Sequence, residues 1–399
     1  MSANGRDEHG AVAGKTPVLS SQSVAATIVP PFFEGTEKRI EIDFAGSGDL
    51  RKIPYASWQE VIQLSKTQIL NSKETEEFTS FLLSESSLIV YPSKVMLKTC
   101  GSTVPLNAVA RIFELAASVG MEEEWLCYSR KNFLEPSAQP PEYASQESEI
   151  SVCKKACAGI GESYLLGPMT GEHWLLYDAA FKDTDCSNRA EFHIDIMMYD
   201  LPADVRNHFF SAEPEGSRKG AEEMTKHSGL GALTEGMKAV IDDYCFAPCG
   251  YSANVHTACG AYAVVHVTPQ EECSYASFET NFGSRKTPED QADVSESLNE
   301  LVGKVLDLFR PAKFTLTLFT DQGAENAIGG APFESADARY SRRNCTSSHF
   351  EQDYVATIVN YVGRKIENKR LCKGDSSDED CQKKLPPRML RSRSGLALA

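Results

Sequence analysis

The stretch Phe81-Leu82-Leu83-Ser84-Glu85-Ser86-Ser87-Leu88-Ile89-Val90-Tyr91-Pro92-Ser93-Lys94-Val95-Met96-Leu97-Lys98-Thr99-Cys100 reads as a β-hairpin. Residues 88–91 and 95–97 are short apolar runs, and Pro92-Ser93 between them is a turn dipeptide. Proline presets φ at the second position of a type I or II turn, so residues 91–94 can close it. Pairing centred near residue 93 makes facing positions sum to about 186, give or take about one. Ser86 then lies across from Cys100 or one place off, with Cβ atoms about 5 Å apart. A hydroxyl with an acidic neighbour and a thiol thus share one patch of sheet.

Outward from the hairpin, strand and helix patterns alternate. In residues 38–44, Ile40, Ile42 and Phe44 alternate with Arg39, Glu41 and Asp43, which predicts a half-buried strand. Residues 58–70 carry Val61, Ile62, Leu64 and Ile69 at helical spacing. Leu106, Val109, Ile112, Phe113 and Ala116 share one helical face, ended by Gly120. The segment 136–149, rich in Pro, Ser and Glu, reads as a loop, and 213–226 as an exposed charged connection. Strands are expected at 174–180, 192–201, 261–268, 275–280 and 313–320. A second amphipathic helix carries Leu298, Leu301, Val302, Val305 and Phe309 and stops at Pro311. Strand pairs followed by one helix occur twice, at about 88–120 and 261–310, with no residue-level repeat. Antiparallel sheets, each covered by helices on one face, make an α+β sandwich. Residues 1–30 and 367–399 are polar or highly charged and read as disordered tails around a domain at 31–366.

The 399 residues are 41% apolar and 24% charged, the composition of a globular protein with a large core. No apolar run reaches the roughly 18 residues of a membrane span. The net charge of −16 argues against nucleic acid or an anionic membrane as partner and suits a cationic ligand. Residues 1–30 lack a secretory pattern, so the twelve cysteines are expected to be reduced thiols of a cytoplasmic protein. Cys153/Cys157 and Cys245/Cys249 do not have zinc-knuckle spacing, and no metal is expected.

Several blocks carry a resemblance. Leu83-Ser84-Glu85-Ser86-Ser87 followed by Lys98-Thr99-Cys100-Gly101 resembles the self-cleavage segment of eukaryotic S-adenosylmethionine decarboxylases. Phe32-Phe33-Glu34-Gly35-Thr36-Glu37-Lys38 and Tyr128-Ser129-Arg130-Lys131-Asn132-Phe133 continue the match. Pro248-Cys249-Gly250-Tyr251-Ser252, His266-Val267-Thr268-Pro269 and Ser277-Phe278-Glu279-Thr280-Asn281 follow in family order, so the likeness spans roughly residues 31–350.

The resemblance implies a four-layer αββα sandwich with two antiparallel sheets. It also implies a pyruvoyl cofactor made by cleavage between Glu85 and Ser86, leaving chains 1–85 and 86–399 as a heteromer that could itself pair as a dimer. The Ser86 hydroxyl can attack the Glu85 carbonyl, provided the peptide is strained and a base is near. His266 is then the processing base and Ser252 holds the intermediate. On parity, His266 shares a strand face with Tyr262 and Val264, and neutral imidazole is the species that accepts a proton. The pyruvoyl ketone takes the substrate's α-amine as a Schiff base and acts as electron sink. Cys100 is implied as the acid that protonates the α-carbon, while Phe33 and Phe246 sandwich adenine and Glu85 also contacts substrate. Glu34 and Glu37 match the family's active-site acids and could converge around Gly35.

Gln270 departs from the family's ribose-binding glutamate, which predicts weaker substrate binding because an amide offers one oxygen and only neutral bonds. Glu41, Lys98, Asp195, Glu279 and Phe319 match the set that binds putrescine in some members, with Glu191 a looser match. Arg39 stands where other members use a basic residue in place of the diamine, and the residues leave putrescine dependence open. Two other classes compete: a non-enzymatic regulatory paralogue, and a Cys/His hydrolase using Cys100 and His266. An uncleaved chain would favour either.

Overall fold

The computed structural model describes residues 33–182, 191–235, 237–282, 294–321, 324, 338–350 and 354–364. The expected tails 1–30 and 367–399 lie outside these residues. In β1 (Lys38–Gly46), Ile40, Ile42 and Phe44 face helices, as the alternation requires. Arg39, Glu41 and Asp43 are buried as well. The expectation of a half-buried strand is therefore corrected: the polar face meets a second sheet, not water.

The remaining strands of the first sheet are β2 (Ile69–Glu74), β3 (Thr79–Leu83), β4 (Ser86–Val90), β5 (Lys94–Thr99), β6 (Met121–Lys131), β7 (Glu162–Leu166) and β8 (Trp174–Ala180). The second sheet contains β9 (Phe192–Tyr199), β10 (Val240–Cys245), β11 (Tyr251–His256), β12 (Tyr262–Thr268), β13 (Tyr275–Thr280), β14 (Lys313–Asp321), β15 (Tyr340–His349) and β16 (Tyr354–Gly363). Their orders are β2-β3-β4-β5-β1-β6-β8-β7 and β10-β11-β12-β13-β9-β14-β16-β15. Adding eight to each strand of the first sheet yields the second. The repeated element order seen in the sequence is a topological duplication of the whole domain.

Helices α1 (Tyr55–Leu64), α2 (Val109–Ser118) and α3 (Gln146–Ala156) belong to the first half; α4 (Ala203–Arg206), α5 (Arg218–Ser228) and α6 (Val294–Phe309) belong to the second. Ile40, Ile42, Leu88 and Val90 pack with Trp58, Val61, Ile112 and Cys153. Ile194, Ile196, Ala263 and Val265 pack with Met224, Val302, Val305 and Phe309. Each fully buried large apolar side chain contributes about 1.5–3 kcal/mol. These two cores form the outer interfaces of an αββα sandwich.

Three local expectations change. α1 stops at Leu64, Lys66 turns left-handed at φ 60°, and Ile69 begins a strand instead of prolonging the helix. Part of the expected loop 136–149 is α3, capped by Ser145, whose hydroxyl accepts from the Ser148 N–H. Its Glu149 is fully buried against Arg130 (Nε–Oε1 2.7 Å) and Tyr128. The expected connection 213–226 contains the start of α5, which buries Ala221 and Met224 and ends at Gly229 with φ 77°. Few large apolar residues mark either helix, which is why periodicity missed them.

Between the sheets, Trp125 stacks on Tyr354 at 4.4 Å beside Met197, Tyr199 and Phe319. Ile89, Met96, Tyr262 and Val264 form a second apolar patch. Charged groups occupy the space around these patches. The Arg39 Nε donates across the gap to Glu279 at 3.1 Å, and Lys98 Nζ reaches Asp195 at 3.0 Å and Glu279 at 2.9 Å.

Candidate active site

The hairpin that organises the sequence has the expected form, with the Tyr91 N–H donating to the Lys94 carbonyl at 2.8 Å. Ser86 pairs with Thr99, so facing positions sum to 185 and Cys100 lies one place further on. That offset puts Cys100 against the Glu85 carbonyl. Its N–H donates to that oxygen at 3.0 Å and its thiol lies 3.5 Å away as a second donor. Two donors on one carbonyl oxygen draw charge from the carbon and favour attack on it.

Ser84 and Glu85 form a tight turn between β3 and β4, where Leu83 pairs with Ser86. Ser86 has φ 119°, whereas the other positive-φ non-glycine residues described lie between 45° and 60°. Those five occupy the small left-handed helical region; Ser86 does not, and its conformation is one that essentially only glycine adopts freely. Such a residue stores about 1–3 kcal/mol. The turn is held from the other side. The Ser84 N–H donates to the Gln68 carbonyl at 2.9 Å, and the Thr67 hydroxyl donates to the Glu85 carboxylate at 2.5 Å. Ser86 is fully buried and its Oγ has no hydrogen-bond partner among the described residues.

The second sheet brings Ser252 and His266 opposite each other on β11 and β12, with Oγ and Nδ1 2.8 Å apart. Nε2 is buried without a partner among the described residues. Burial, helped by the Lys98 charge, pushes this imidazole down to about 3, so the ring is neutral at ordinary pH. Burial also raises the Cys100 thiol well above its usual range, and the Glu37 and Glu85 charges raise it further. Cys100 therefore holds its proton. A strut joins the sheets beside the turn: the Ser87 hydroxyl donates to Asn254 Oδ1 at 2.6 Å.

A cavity of about 180 Å³ lies between these groups. Glu85, Cys100, Ser252, His266, Phe33 and Phe246 line it, as does Gln270, whose Oε1 is buried and unpartnered. Gly101 and Gly250, both at positive φ, let the backbone run close behind the two phenyl rings; a Cβ there would come within 3.2 Å of Phe33 and 3.3 Å of Phe246. Ser86 does not line the cavity, which approaches the 85–86 bond through Glu85 and Cys100.

Glu34 and Glu37 do not converge on common partners. Glu34 accepts the N–H groups of Leu134 and Glu135 at 2.9 and 3.0 Å, while Glu37 accepts from Tyr275 and Ser277 at 2.8 and 3.0 Å and pairs with Lys98 at 3.3 Å. Neither lines the cavity. Glu37, held beside Lys98, still acts electrostatically on Cys100.

Glu41, Lys98, Asp195, Glu279 and Phe319 gather between the sheets around Arg39, whose Nη1 meets Glu41 at 2.6 Å. A second cavity of about 230 Å³ is lined by Arg39, Glu41, Lys94, His193 and Phe319. Glu191, half exposed, pairs with Lys94 at 2.9 Å. Lys94 also reaches Glu41 at 2.8 Å, and His193 stacks on Phe319 at 4.8 Å. Burial and then the Arg39 charge push His193 down to about 3. Sequence reading missed both Lys94 and His193. Strand parity, which puts His193 on the face of Asp195, was the available signal for the second.

A sandwich of two like sheets, with a strained serine on one and a Ser/His pair on the other, defines a class of self-contained catalytic domain. The sequence profile described as adenosylmethionine decarboxylase matches residues 30–362. The S-adenosylmethionine decarboxylase proenzyme of Dictyostelium discoideum is 34% identical over 343 residues, covering 82% of this chain and 85% of that one. Those of Xenopus laevis and Zea mays are each 34% identical, over 74% and 75% of this chain and 85% and 75% of theirs. The structure titled Trypanosoma brucei AdoMetDC-delta26 monomer matches with a TM-score of 0.52 at 24% identity, covering 69% of this chain and 99% of that one, a likeness of fold. The chain belongs to the adenosylmethionine decarboxylase family, enzymes that decarboxylate S-adenosylmethionine.

The backbone at Ser86 can be tested without cleavage, because neither Ser86→Gly nor Ser86→Ala retains a nucleophile. Glycine relieves the positive φ, and its own entropy costs about 0.5–1 kcal/mol against alanine. Ser86→Gly should be the more stable by about 1 kcal/mol in urea unfolding. A glycine variant less stable than the alanine variant by about 0.5–1 kcal/mol, its bare entropic cost, would mean that Ser86 carries no strain.

Proposed function

We propose that this chain cuts itself between Glu85 and Ser86 and uses the pyruvoyl group so formed to decarboxylate S-adenosylmethionine, giving the aminopropyl donor for spermidine and spermine. The single observation that carries the reading is Ser86 itself, at φ 119° with an unpartnered hydroxyl, next to a carbonyl that takes both donors of Cys100. These residues fit the generation of the group.

In processing, Ser86 Oγ attacks the Glu85 carbonyl carbon. The C–O bond forms, the C–N bond breaks, and the freed amine takes a proton. The donors from Cys100 stabilise the charge that builds on the oxygen, and Ser252 holds the intermediate. His266, neutral and fixed by Ser252, removes the Ser86 α-proton as the Cβ–Oγ bond breaks and Glu85 departs as a carboxylate. Addition of one water and loss of ammonia leave a ketone at residue 86. Pieces 1–85 and 86–399 stay together because β1, from the first piece, lies between β5 and β6 of the second.

The ketone, when present, supplies the electron sink for loss of carbon dioxide. Phe33 and Phe246 hold the adenine between their rings, worth about 1–3 kcal/mol for a stacked base. Glu85, at the end of the first piece, also contacts the substrate. Gln270 takes the ribose hydroxyls with neutral bonds only. Cys100, protonated because it is buried beside carboxylates, gives its proton to the substrate's α-carbon. Glu37 supplies negative potential toward the cationic sulfonium, and Glu34 braces the loop at Leu134 and Glu135 through their N–H groups.

A Cys/His hydrolase is disfavoured by two observations: His266 is engaged with Ser252, and a thiol held protonated is a poor nucleophile. No observation favours a regulatory paralogue, and Ser86, Cys100, Ser252 and His266 are all retained.

Mass analysis under denaturing conditions should find two pieces divided after Glu85, the second with a blocked, keto-bearing end, and carboxyl-labelled substrate should release carbon dioxide. An intact chain that releases none would sink the proposal. The pH dependence follows from His266: its folded value lies far below the usual imidazole value, so the neutral base is lost only as pH falls toward about 3. Cleavage should therefore run at similar rates at pH 7.5 and pH 5.5, whereas an ordinary imidazole would lose about tenfold. A tenfold drop would show that His266 titrates normally or is not the base.

Arg39, by joining Glu41 and Glu279, supplies between the sheets the positive charge that a diamine would bring, so putrescine should change wild-type activity little. Arg39→Leu should lower activity by about fivefold or more, with putrescine restoring it. A wild-type enzyme that needs putrescine, or a variant indifferent to it, would contradict this assignment.

A further inference from the structure

One buried cation has no part in the chemistry above. Lys38 opens β1, is wholly buried and, among the described residues, pairs with no carboxylate. Its Nζ donates to the Gly101 carbonyl at 2.8 Å and lies 5.1 and 5.2 Å from the ring centres of Phe133 and Tyr143. The Gly101 N–H in turn donates to the Glu34 carbonyl at 2.9 Å. The residue after Cys100 is thus gripped through both its amide groups by the segment 34–38.

The other charges in the neighbourhood are committed elsewhere. Glu34 takes two backbone N–H groups, and Glu149 is matched by Arg130 and Tyr128. Glu85 is bonded by Thr67, and Glu37 by Tyr275 and Ser277. Lys98 is shared among Asp195, Glu279 and Glu37. Around the Cys100 sulfur, Glu37 and Glu85 oppose negative charge while Lys38 and Lys98 favour it. Of those two cations, only Lys38 makes no direct ion pair with a carboxylate among the described residues; Glu149 and Glu34 favour its charge from a longer range, and Arg130 opposes it. An ammonium buried against two ring faces and one carbonyl is incompletely compensated, and a neighbour that becomes negative would complete it. Burial lowers Lys38 to about 8, with the Cys100 charge as the largest opposing influence.

We propose that Lys38 is the positioning residue for the Cys100 proton donor: its ammonium fixes the turn at residues 100–101 and neutralises the thiolate left when the proton has gone. The inference rests on the decarboxylation reading. In that step the S–H bond breaks with its electron pair kept on sulfur. The proton forms the new C–H bond at the substrate's α-carbon with the electron pair released from the C–CO2 bond. Solvent later returns a proton to sulfur.

The test measures alkylation of Cys100 by iodoacetamide in the full protein at pH 7, where Lys38, lowered only to about 8, is mostly charged, followed by peptide mass. Lys38→Met removes both charge and donor, and Lys38→Gln keeps an amide donor but no charge. Both should slow Cys100 alkylation by about tenfold, since thiolate is the reactive form and its fraction falls tenfold per unit of pKa. Lys38→Arg, which keeps the charge, should restore most of the rate. A purely structural lysine would loosen the turn when replaced, leaving alkylation unchanged or faster, and either result overturns the proposal. A second readout is the share of 86–399 pieces carrying an amine in place of the keto group after a fixed number of turnovers, the mark of misdirected protonation. It should rise several-fold in Lys38→Gln; an unchanged share counts against the proposal. The alkylation assay runs equally on an uncleaved chain, so failure of the Lys38 assignment is distinguishable from failure of the decarboxylase reading.

Discussion

The structure depends on charges that cross the gap between its two sheets. Arg39 bonds Glu41 on its own strand and Glu279 on the opposite sheet, and Lys98 bonds Asp195 and Glu279. Burying such groups costs several kcal/mol per ion, recovered only when geometry is good and partners are complete. Sliding one sheet over the other by a residue would break these bonds together, leaving unpaired charges in a low-dielectric layer. A purely apolar gap would tolerate that slide far better, because apolar contacts are not directional. The network therefore acts less as a source of stability than as a lock on the relative position of the sheets. That position is what brings β4 of one sheet opposite β11 and β12 of the other.

The duplicated topology makes this alignment necessary. Strand β4, which begins with Ser86, corresponds by position to β12, which carries His266. The two halves thus place chemistry on equivalent strands but divide it between them: strained peptide and thiol on one, serine and imidazole on the other. Neither sheet alone holds both the positive-φ Ser86 and the Ser252–His266 pair. The Ser87–Asn254 strut, at 2.6 Å, ties the partners together immediately beside the turn. Local symmetry of fold has been put to asymmetric use.

Much of this was legible in the residues, and what was missed has a common cause. Hairpin register could be counted from Pro92-Ser93, and strand parity placed His266 on the face of Tyr262 and Val264, because a period of two is intrinsic to the backbone. Parity says which residues share a face but not what that face meets. Arg39, Glu41 and Asp43 looked like a solvent side because alternation cannot distinguish water from a second polar sheet. The same gap hid Lys38 and Lys94, cations whose significance is set by burial. Segments α3 and α5 went unread for a different reason: they dock through Glu149, Ala221 and Met224, too few apolar side chains to leave a periodic trace. The positive φ of Ser86 is beyond any local pattern, since nothing in Ser84-Glu85-Ser86 prefers it.

That last feature explains why the strained conformation can persist in the folded chain. The turn at Ser84-Glu85 is pinned by Thr67 and Gln68 on one side and by Cys100 on the other, while β3 and β5 flank β4 in the sheet. A strain of about 1–3 kcal/mol is small beside the contacts that impose it, so the fold can hold Ser86 where an isolated peptide would not. Breaking the 85–86 bond would release that strain without loosening the domain, because the first piece contributes β1 at the middle of the sheet as well as β2 and β3 at its edge. The central strand would hold two such pieces together, while the strained turn lies between β3 and β4, nearer the edge. A strained turn toward the periphery, in a segment anchored at the centre of the sheet by β1, is a place where a broken bond would leave the scaffold standing.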